Sequence, residues 1–263
     1  MKKLGVIACF YDCARFVDKI LEPWLSFPEI EVSIVHGQFK EYAELGYEDR
    51  DCETIGRIIP YVKEVKTFIT GAMPEFDGKK LTESEIRNIP LTYLKSRNCE
   101  NFMILDGDEI YSQEEIQNIL NFIDRDKFIS WYRIEMKNLT FNEKTYTKGF
   151  NPPRIFRNNC GQAKLREFHW DNDVMYNLPD GTIIDYRRLA SQNIPTTLVN
   201  PLHYSWCDKR TCIKKINYHK KHFAHPMLKH PCSFKWDTEK DCLAFCEEYY
   251  LERGLEFPAL FTV

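Results

Sequence analysis

From residue 4 to residue 136 the sequence alternates between short apolar runs and amphipathic stretches with helical spacing. The predicted strands are residues 4–10, 29–37, 64–70, 101–105 and 127–136, and the predicted helices are residues 14–25, 52–62, 81–98 and 112–123. Strands that alternate with helices form parallel β-α-β units. We therefore predict an α/β fold whose mostly parallel central sheet is covered by helices on both faces.

Beyond residue 137 the pattern changes to aromatic-rich, irregular segments, and two helical stretches, residues 208–226 and 237–254, close the chain. We expect the irregular part to pack onto the same sheet and to form the second wall of a cleft. The predicted division is a first half at residues 1–136, a second half of the same domain at residues 137–206, and a C-terminal helical, partly basic extension at residues 207–263.

Composition excludes few classes of protein. A chain of 263 residues with 43% apolar and 14% aromatic residues can bury a large core, and a net charge of −3 predicts neither a nucleic-acid binder nor an acidic tail. The ten cysteines are scattered, without zinc-finger spacing. The N-terminal apolar run, about six residues long, is too short for a signal peptide or a membrane span. We therefore expect reduced thiols and a cytoplasmic location.

Three acids in four positions, Asp106, Asp108 and Glu109, follow the apolar run at residues 101–105. Ligands bind at the carboxyl ends of parallel strands, so these acids should lie on the binding edge of the sheet. Adjacent carboxylates repel unless a cation or a proton compensates them, and Gly107 allows a sharp turn between them. Magnesium and manganese prefer such oxygen ligands and keep positions open for phosphates. The segment indicates a metal–diphosphate site; the alternative is a solvated turn before a helix N-terminus.

Several segments together resemble family 2-like glycosyltransferases, which have the A-type (GT-A) nucleotide-diphospho-sugar transferase fold. "GVIACFYDCARFVDKILEPW" is similar to the family's opening strand, turn and helix, "FMILDGDEI" to its D-x-D-E strand, and "EDRDCETIGRII" to its S-x-D-G-T segment. Downstream, "PPRIFRNN", "REFHWDND" and "PLHYSW" resemble its R-L-F-R, His-acid and His-Tyr elements, in the same order. The resemblance covers residues 1 to about 220 and implies a single Rossmann-like domain.

The resemblance implies a hexosyl- or pentosyltransferase that takes a sugar from a nucleotide-sugar, most simply a UDP- or GDP-sugar, with Mn²⁺ or Mg²⁺ bridging the diphosphate. The donor residues would be Phe10, Tyr11, Asp51, Asp106 and Arg97. The metal ligands would be Asp106, Asp108 and His203. The chain departs from the family where Asp12 and Cys13 replace Asn and Glu, and where "VHGQ" replaces an acid-containing turn after the second strand.

An inverting transferase needs a general base for the acceptor hydroxyl, whereas a retaining one does not. Within "REFHWDND" we expect Asp171, and then Glu167, to be this base, and Trp170 to stack on an acceptor ring. The alternative is that these acids accept hydrogen bonds from loop amides. Arg154 and Arg157, which alternate with apolar residues, would form a basic face of a strand that contacts phosphate or an acidic acceptor. The predicted acceptor residues are Glu109, Arg154, Trp170 and Asp173.

A basic segment at residues 209–235 bears on the acceptor, which would be a glycan, a small molecule or a modified nucleic acid. Its cations are Lys209, Arg210, Lys214, Lys215, Lys220, Lys221, Lys229 and Lys235. Such a segment follows a phosphate backbone or is the solvated face of a packed helix. Two other functions stay open: a nucleic-acid- or sugar-binding module on a transferase scaffold, and a haloacid-dehalogenase-like phosphotransferase. The latter has its D-x-D after the first strand and Thr or Val where this chain has Ile110.

Overall fold

The computed structural model describes residues 2–47, 51–65, 67–70, 75–76, 79–140, 143–158, 162–166, 173–178, 180–207, 214, 251–252, 254 and 259–263. The chain divides into two compact units. Unit 1 is Met1–Glu135 with Asn151–Pro201, and unit 2 is Met136–Phe150 with Leu202–Val263. Most of the two predicted C-terminal helices lies outside the described residues. The predicted boundaries at residues 136/137 and 206/207 stay a prediction.

Five α-helices have both ends within the described residues, and all five belong to unit 1. They are α1 (Val17–Leu25), α2 (Lys40–Ala43), α3 (Cys52–Ile58), α4 (Glu83–Ser96) and α5 (Gln113–Ile123). Short 3-10 turns precede α1 at Ala14–Phe16, follow α3 at Ile59–Tyr61 and occur at Tyr186–Arg188. Ser112 caps α5 as predicted, because its hydroxyl accepts from the Glu115 amide at 3.2 Å while Glu115 reaches back to the Ser112 amide.

The strands of the described residues come in two dense runs. Before residue 140 they are β1 (Leu4–Phe10), β2 (Ile30–His36), β3 (Thr67–Thr70), β4 (Glu75–Phe76), β5 (Lys79–Lys80), β6 (Asn101–Asp106), β7 (Glu109–Ile110), β8 (Trp131–Ile134) and β9 (Met136–Thr140). After it they are β10 (Thr145–Phe150), β11 (Pro153–Arg157), β12 (Gln162–Arg166), β13 (Asp173–Asn177), β14 (Ile183–Asp185), β15 (Ser191–Ile194), β16 (Leu202–Trp206) and β17 (Phe261–Thr262).

The central sheet of unit 1 has the strand order β15-β8-β11-β6-β1-β2-β3. Every neighbouring pair is parallel except the two that involve β11, which runs antiparallel to β6 and to β8. The predicted mostly parallel sheet is therefore confirmed. The reversed strand β11 matters for the site, because it runs from the carboxyl edge of β6 toward its amino edge.

Both faces of the central sheet are buried along β1 and β2 and along all of β6 but its last residue, as is typical of parallel strands. On one face Ile7 and Cys9 of β1 pack in a core cluster with Ile86 and Leu91 of α4. The side chains that alternate with them on β1 are also buried. Helix α1 packs against β2 and also contacts α3 and α5. Helices therefore flank the central sheet on both sides, as the alternating pattern predicted.

Three smaller arrangements complete the described residues. In unit 1, β12, β13 and β14 form an antiparallel sheet and β4 pairs with β5. In unit 2, β9 pairs antiparallel with β10 and parallel with β16, and β10 pairs with β17. The predicted strand at residues 127–136 is instead β8, which ends before Glu135, and the start of β9. No helix of the described residues is both long enough and apolar enough to cross a membrane.

Candidate active site

Three neighbouring parallel strands end side by side at one edge of the central sheet. β1 ends at Phe10, β2 at His36 and β6 at Asp106, and the register pairs Phe10 with His36 and Cys9 with Asp106. The chain proceeds from β1 to β2 and β3 on one side, and β6 then lies on the other side of β1. In open α/β sheets, ligands bind outside the carboxyl ends of the strands at this reversal of strand order. The acids of "DGDE" therefore lie at the expected binding edge.

Gly107 holds the acidic turn directly against the turn that follows β1. A Cβ atom at this position would lie 2.7 Å from the Sγ atom of Cys13 and 2.9 Å from the carbonyl oxygen of Cys9. Gly107 is not among the glycines with a positive φ, so glycine is needed here because a side chain has no room and not because of the backbone conformation. The glycine was expected because of a sharp turn; the structure shows that it is needed for close approach of two backbone segments.

Asp106 accepts a hydrogen bond from a different arginine on each of its carboxylate oxygens. Nη2 of Arg87, on α4, lies 2.6 Å from Oδ1, and Nη2 of Arg154, on β11, lies 3.0 Å from Oδ2. Each arginine also pairs with a second acid, Arg87 with Glu83 and Arg154 with Glu109. Both guanidinium groups are buried. Three acids and two arginines thus form one charged network, which we call the edge network.

Glu109 lies inside this network and has no exposed surface. Its Oε1 atom accepts from Arg154, and its Oε2 atom lies 3.4 Å from the hydroxyl of the buried Tyr111. Burial raises the pKa of Glu109 to about 8, although the charge of Arg154 acts in the opposite direction. Glu109, a predicted acceptor residue, is therefore buried within the protein, where its contacts hold the acidic turn.

Asp108 is half-buried beside the turn that follows β1. Burial raises the pKa of the Cys13 thiol well above its usual range, and the negative charges of Asp51, Asp108 and Asp12 raise it further, against a hydrogen bond from the backbone of Tyr11. Acids from three segments of the chain therefore lie near the Cys13 thiol. Asp108, a predicted metal ligand, and Asp51, a predicted donor residue, both lie near Cys13, just after the end of β1.

Asp51 links the end of β2 to the turn after β1. Its carboxylate caps α3 through the Thr54 amide at 3.3 Å and also accepts from the Asp12 amide at 2.5 Å and from Nε2 of His36 at 3.2 Å. Burial alone would raise the pKa of Asp51, but these hydrogen bonds outweigh burial and hold it well below its usual value. Asp12 has a left-handed φ of 55°, which Asp tolerates better than most residues. The segment thus folds around one carboxylate.

Tyr11 belongs to an aromatic group centred on Tyr42. Its ring lies 5.8 Å from that of Tyr42, which in turn packs against Phe39 and Tyr47. Nε2 of the buried Gln38 donates to the Tyr11 hydroxyl at 2.9 Å and to the Tyr47 carbonyl at 2.6 Å. The predicted residues Phe10, Tyr11, Asp51, Asp106 and Asp108 are therefore brought to the same edge.

Arg97 is placed elsewhere. It ends α4 just before β6 begins, and its Nε atom lies 3.4 Å from Oε1 of Glu31, the second residue of β2. The start of β6 and the second residue of β2 both lie at the amino edge of the parallel strands. The structure therefore does not bring Arg97 to the other predicted donor residues.

His203 belongs to unit 2, on β16. Its Nδ1 atom lies 3.0 Å from Oδ1 of Asn138, and its ring stacks on Phe150 with the ring centres 4.6 Å apart and the planes at 7°. These contacts fix the ring within its own sheet, and its role as a metal ligand stays a prediction.

Other predicted residues fall on parts of the chain that the structure does not describe. Glu167, Trp170 and Asp171 lie there, as does nearly all of the basic segment, residues 209–235. Asp173 begins β13, where its backbone pairs with Arg166. The general base and the acceptor residues of this stretch stay predictions.

The described residues do not by themselves form a closed metal site. Across the described ranges no group of three or more His, Cys, Asp or Glu side chains is arranged to hold a metal ion. Each carboxylate oxygen of Asp106 already accepts from an arginine, so a metal ion bound there would lie close to two cations that repel it. An ion held by the carboxylate of Asp108 together with substrate phosphates fits this arrangement, since magnesium is commonly bound by one carboxylate and phosphates.

Sequence reasoning missed Arg87, although a signal was present. In α4 the buried residues are Ile86, Arg87, Pro90, Leu91 and Leu94. Arg87 thus sits in the apolar stripe, four residues before Leu91, where a solvated arginine is not expected. A charged residue on the buried face of a helix that precedes an acid-terminated strand indicates a partner acid inside the protein.

Comparison with known proteins gives structural similarity only. No family model and no curated protein matches the chain. Residues 1–349 of TarS from S. aureus are similar at 18% identity and a TM-score of 0.41, over 60% of this chain and 47% of that one, and the same fragment with UDP-GlcNAc gives the same score. The mannosyltransferase PcManGT from Pyrobaculum calidifontis, in complex with GDP-Man and Mn²⁺, is similar at 11% identity and a TM-score of 0.49, over 96% of this chain and 75% of that one. The chain spans less than half of the TarS fragment.

Proposed function

We propose that this protein is a glycosyltransferase that moves a sugar from a nucleotide-sugar donor to an acceptor hydroxyl. The observation that carries the proposal is the meeting of the acidic turn after β6 with the turn after β1, where the strand order reverses. A parallel sheet binds ligands at this place, and an acidic turn there suits a diphosphate only when a cation accompanies it.

The turn after β1 supplies the proposed nucleotide side of the site. Tyr11 is half-buried, and an aromatic ring of this kind can stack on a base. Asp51 is held as a carboxylate by three hydrogen bonds, and a carboxylate accepts hydrogen bonds from N–H groups of a base or hydroxyls of a ribose. These two side chains favour a nucleotide as the bound part of the donor.

The acidic turn supplies the proposed diphosphate side. Asp108 would hold Mn²⁺ or Mg²⁺ together with the diphosphate, and the bound ion would neutralise charge on the departing nucleoside diphosphate. The resemblance implies Asp106 and His203 as further ligands of the metal ion, beside Asp108. In our proposal Asp106 supports the turn, because its oxygens are bound to Arg87 and Arg154.

The acceptor side of the proposal rests on the resemblance and on chemistry. Inversion at the anomeric carbon requires a base opposite the diphosphate, and we propose Asp171, with Glu167 as the second candidate. A glycan, a small molecule and a nucleic acid would each present a hydroxyl to this base. The basic segment at residues 209–235 adds phosphate contacts only in the third case.

A thermal-shift and calorimetric screen tests the proposal. We expect UDP- or GDP-sugars, or the corresponding diphosphates, to stabilise the wild type more strongly with Mn²⁺ than without it, since a ligand that binds only the folded state raises stability. Asp108→Ala should abolish the increment due to Mn²⁺. Asp124→Ala is the matched control, because Asp124 is an acid near the amino edge that pairs with Lys3.

The outcomes separate the rival functions. Wild-type protein that binds no nucleotide under either condition would contradict the transferase. Stabilisation by DNA or by a free sugar with no nucleotide effect would instead support a binding module. Release of nucleoside diphosphate from the donor on addition of a glycan, a small hydroxyl compound or DNA would identify the class of acceptor.

A further inference from the structure

We infer that Arg154 is a positioning residue: it acts through Asp106 and Glu109 to fix the acidic turn of the proposed donor site. The inference rests on the proposed function and deepens it. The sequence pattern predicted that Arg154 contacts phosphate or an acidic acceptor, but the side chain is buried and its Nη2 atom is shared by the two acids.

Arg154 connects the two ends of the acidic turn through its contacts with Asp106 and Glu109. Asp106 is the last residue of β6 and Glu109 is the first residue of β7, so the guanidinium joins the two ends of the segment that contains Gly107 and Asp108. Arg87 holds the remaining oxygen of Asp106 from the side of α4. Both oxygens of Asp106 and both oxygens of Glu109 have hydrogen-bond partners, so the intervening Asp108 has little freedom to move.

Stability alone does not explain a buried arginine at this position. Removing charges from water is costly, and a buried ion pair is often no more stable than well-packed apolar residues of the same volume. A carboxylate that must meet a diphosphate and its counterion, however, has to be held in place before binding, since ordering it during binding would reduce affinity. In this inference, Arg154 holds the acidic turn in place before the ligand binds.

Arg157 of the same strand provides an internal comparison. β11 is antiparallel to β6, with Ile155 opposite Met103 and Arg157 opposite Asn101, so Arg157 lies at the amino edge. Its guanidinium donates to the carbonyls of Ile129 at 2.7 Å and Asp126 at 2.6 Å. It binds the backbone and no acid of the edge network, so it serves the fold without touching the site.

The experiment compares Arg154→Met with Arg157→Met, which each remove one buried guanidinium from β11. The first measurement is hydrogen exchange of the Gly107 and Asp108 amides in the absence of ligand. The second is the ratio of affinities for UDP and uridine, and for GDP and guanosine, at a fixed Mn²⁺ concentration. This ratio isolates the contribution of the diphosphate, whereas general loss of structure would weaken binding of diphosphate and nucleoside alike.

We expect Arg154→Met to speed exchange at both amides and to reduce the diphosphate ratio by about tenfold, the effect of losing a hydrogen bond between charged groups. Arg157→Met should leave the exchange and the ratio unchanged, although it lowers overall stability. Arg154→Lys should restore part of the ratio, since an ammonium keeps the charge but cannot match the planar fork of a guanidinium. If the single variant fails to fold, the double variant Arg154→Met with Glu109→Gln provides a folded test protein, because a neutral amide replaces the buried carboxyl group that would otherwise lose its partner.

Three results would overturn the inference. They are unchanged exchange in the folded Arg154 variants, faster exchange with an unchanged diphosphate ratio, and an equal loss of the ratio in Arg157→Met. If the wild type binds neither UDP nor GDP, the proposed function fails. The exchange measurement then still decides whether Arg154 holds the turn.

Discussion

The two edges of the central sheet carry charge in different ways. At the carboxyl edge, Arg87 and Arg154 are 4% and 6% exposed and bind acids of the edge network. At the amino edge, Lys3 pairs with Asp124 at 3.0 Å with side-chain exposures of 39% and 43%, and Lys127 is 59% exposed. The acid Glu31 is buried there, but its partner Arg97 is 51% exposed. Exposed pairs are screened by water and hold nothing in place, whereas buried pairs fix geometry. This difference is what we expect if the carboxyl edge is the binding edge of the proposed function.

The largest effect should come from Asp106→Ala, which removes the acid that both buried arginines share. A buried pair that loses one partner is destabilised by about 3–5 kcal/mol, because a charge is left without compensation. Since Arg87 keeps Glu83 and Arg154 keeps Glu109, we expect a value near the lower end of this range. Urea denaturation of the wild type and the variant measures it. A loss below about 1 kcal/mol, the size typical of exposed pairs, would contradict the contrast between the edges.

Gly107→Ala should have the next largest effect. The added methyl group would meet Cys13 at 2.7 Å and the carbonyl of Cys9 at 2.9 Å, and an overpacked site costs about 1–3 kcal/mol. Because the turn would be pushed away from β1, nucleotide affinity should fall together with stability. Both are measured by calorimetry and urea denaturation.

Gly56, inside α3, is the matched control for this substitution. A Cβ atom there meets nothing within 4 Å, so Gly56→Ala should stabilise the protein by about 0.5–1 kcal/mol through helix propensity. Equal effects of the two substitutions would show that the close contact at Gly107 is not needed.

The sequence was informative wherever a signal is local. The alternating pattern predicted β1, β2, β6, α4 and α5 and placed the acids at the carboxyl edge. The capping box at Ser112 was also visible, since it depends on residues three positions apart. Periodicity and caps are properties of neighbouring residues, so one sequence is enough to recognise them.

Long-range partners were not predictable in the same way. The insertion of β11 between β6 and β8 decides where Arg154 and Arg157 lie, and no local pattern specifies it. The two arginines were expected to form one basic face of a strand. Residues three apart point to opposite faces, however, and the structure buries both side chains. Their opposite roles follow from the direction of β11, which only the folded sheet determines.

A smaller effect, with a defined pH dependence, is expected for Asp51→Ala. Its carboxylate caps α3, and losing an N-cap costs about 0.5–2 kcal/mol. Because the folded state holds the pKa of Asp51 below its ordinary 3.8, the stabilisation is present above that pH and is lost as the pH falls below it. Unfolding free energies of the wild type and the variant should therefore differ at about pH 7, and the difference should shrink as the pH falls below the ordinary pKa of Asp51. A difference that stays constant with pH would show that the hydrogen bonds of Asp51 do not favour its ionised form.

The smallest effect is expected at the amino edge, from Asp124→Ala. Asp124 pairs with Lys3 at 3.0 Å and with Lys127 at 3.1 Å, so it has as many cationic partners as Asp106. Hydrogen bonds from the two lysines lower the pKa of Asp124, but all three side chains are well exposed, and such pairs contribute about 0–1 kcal/mol. Added salt should reduce even this contribution, whereas the loss caused by Asp106→Ala should depend little on salt, because buried pairs are screened less. Urea denaturation of both variants at low and high sodium chloride measures the contrast. Similar losses with similar salt dependence would mean that the two edges do not differ in the way their charges are held.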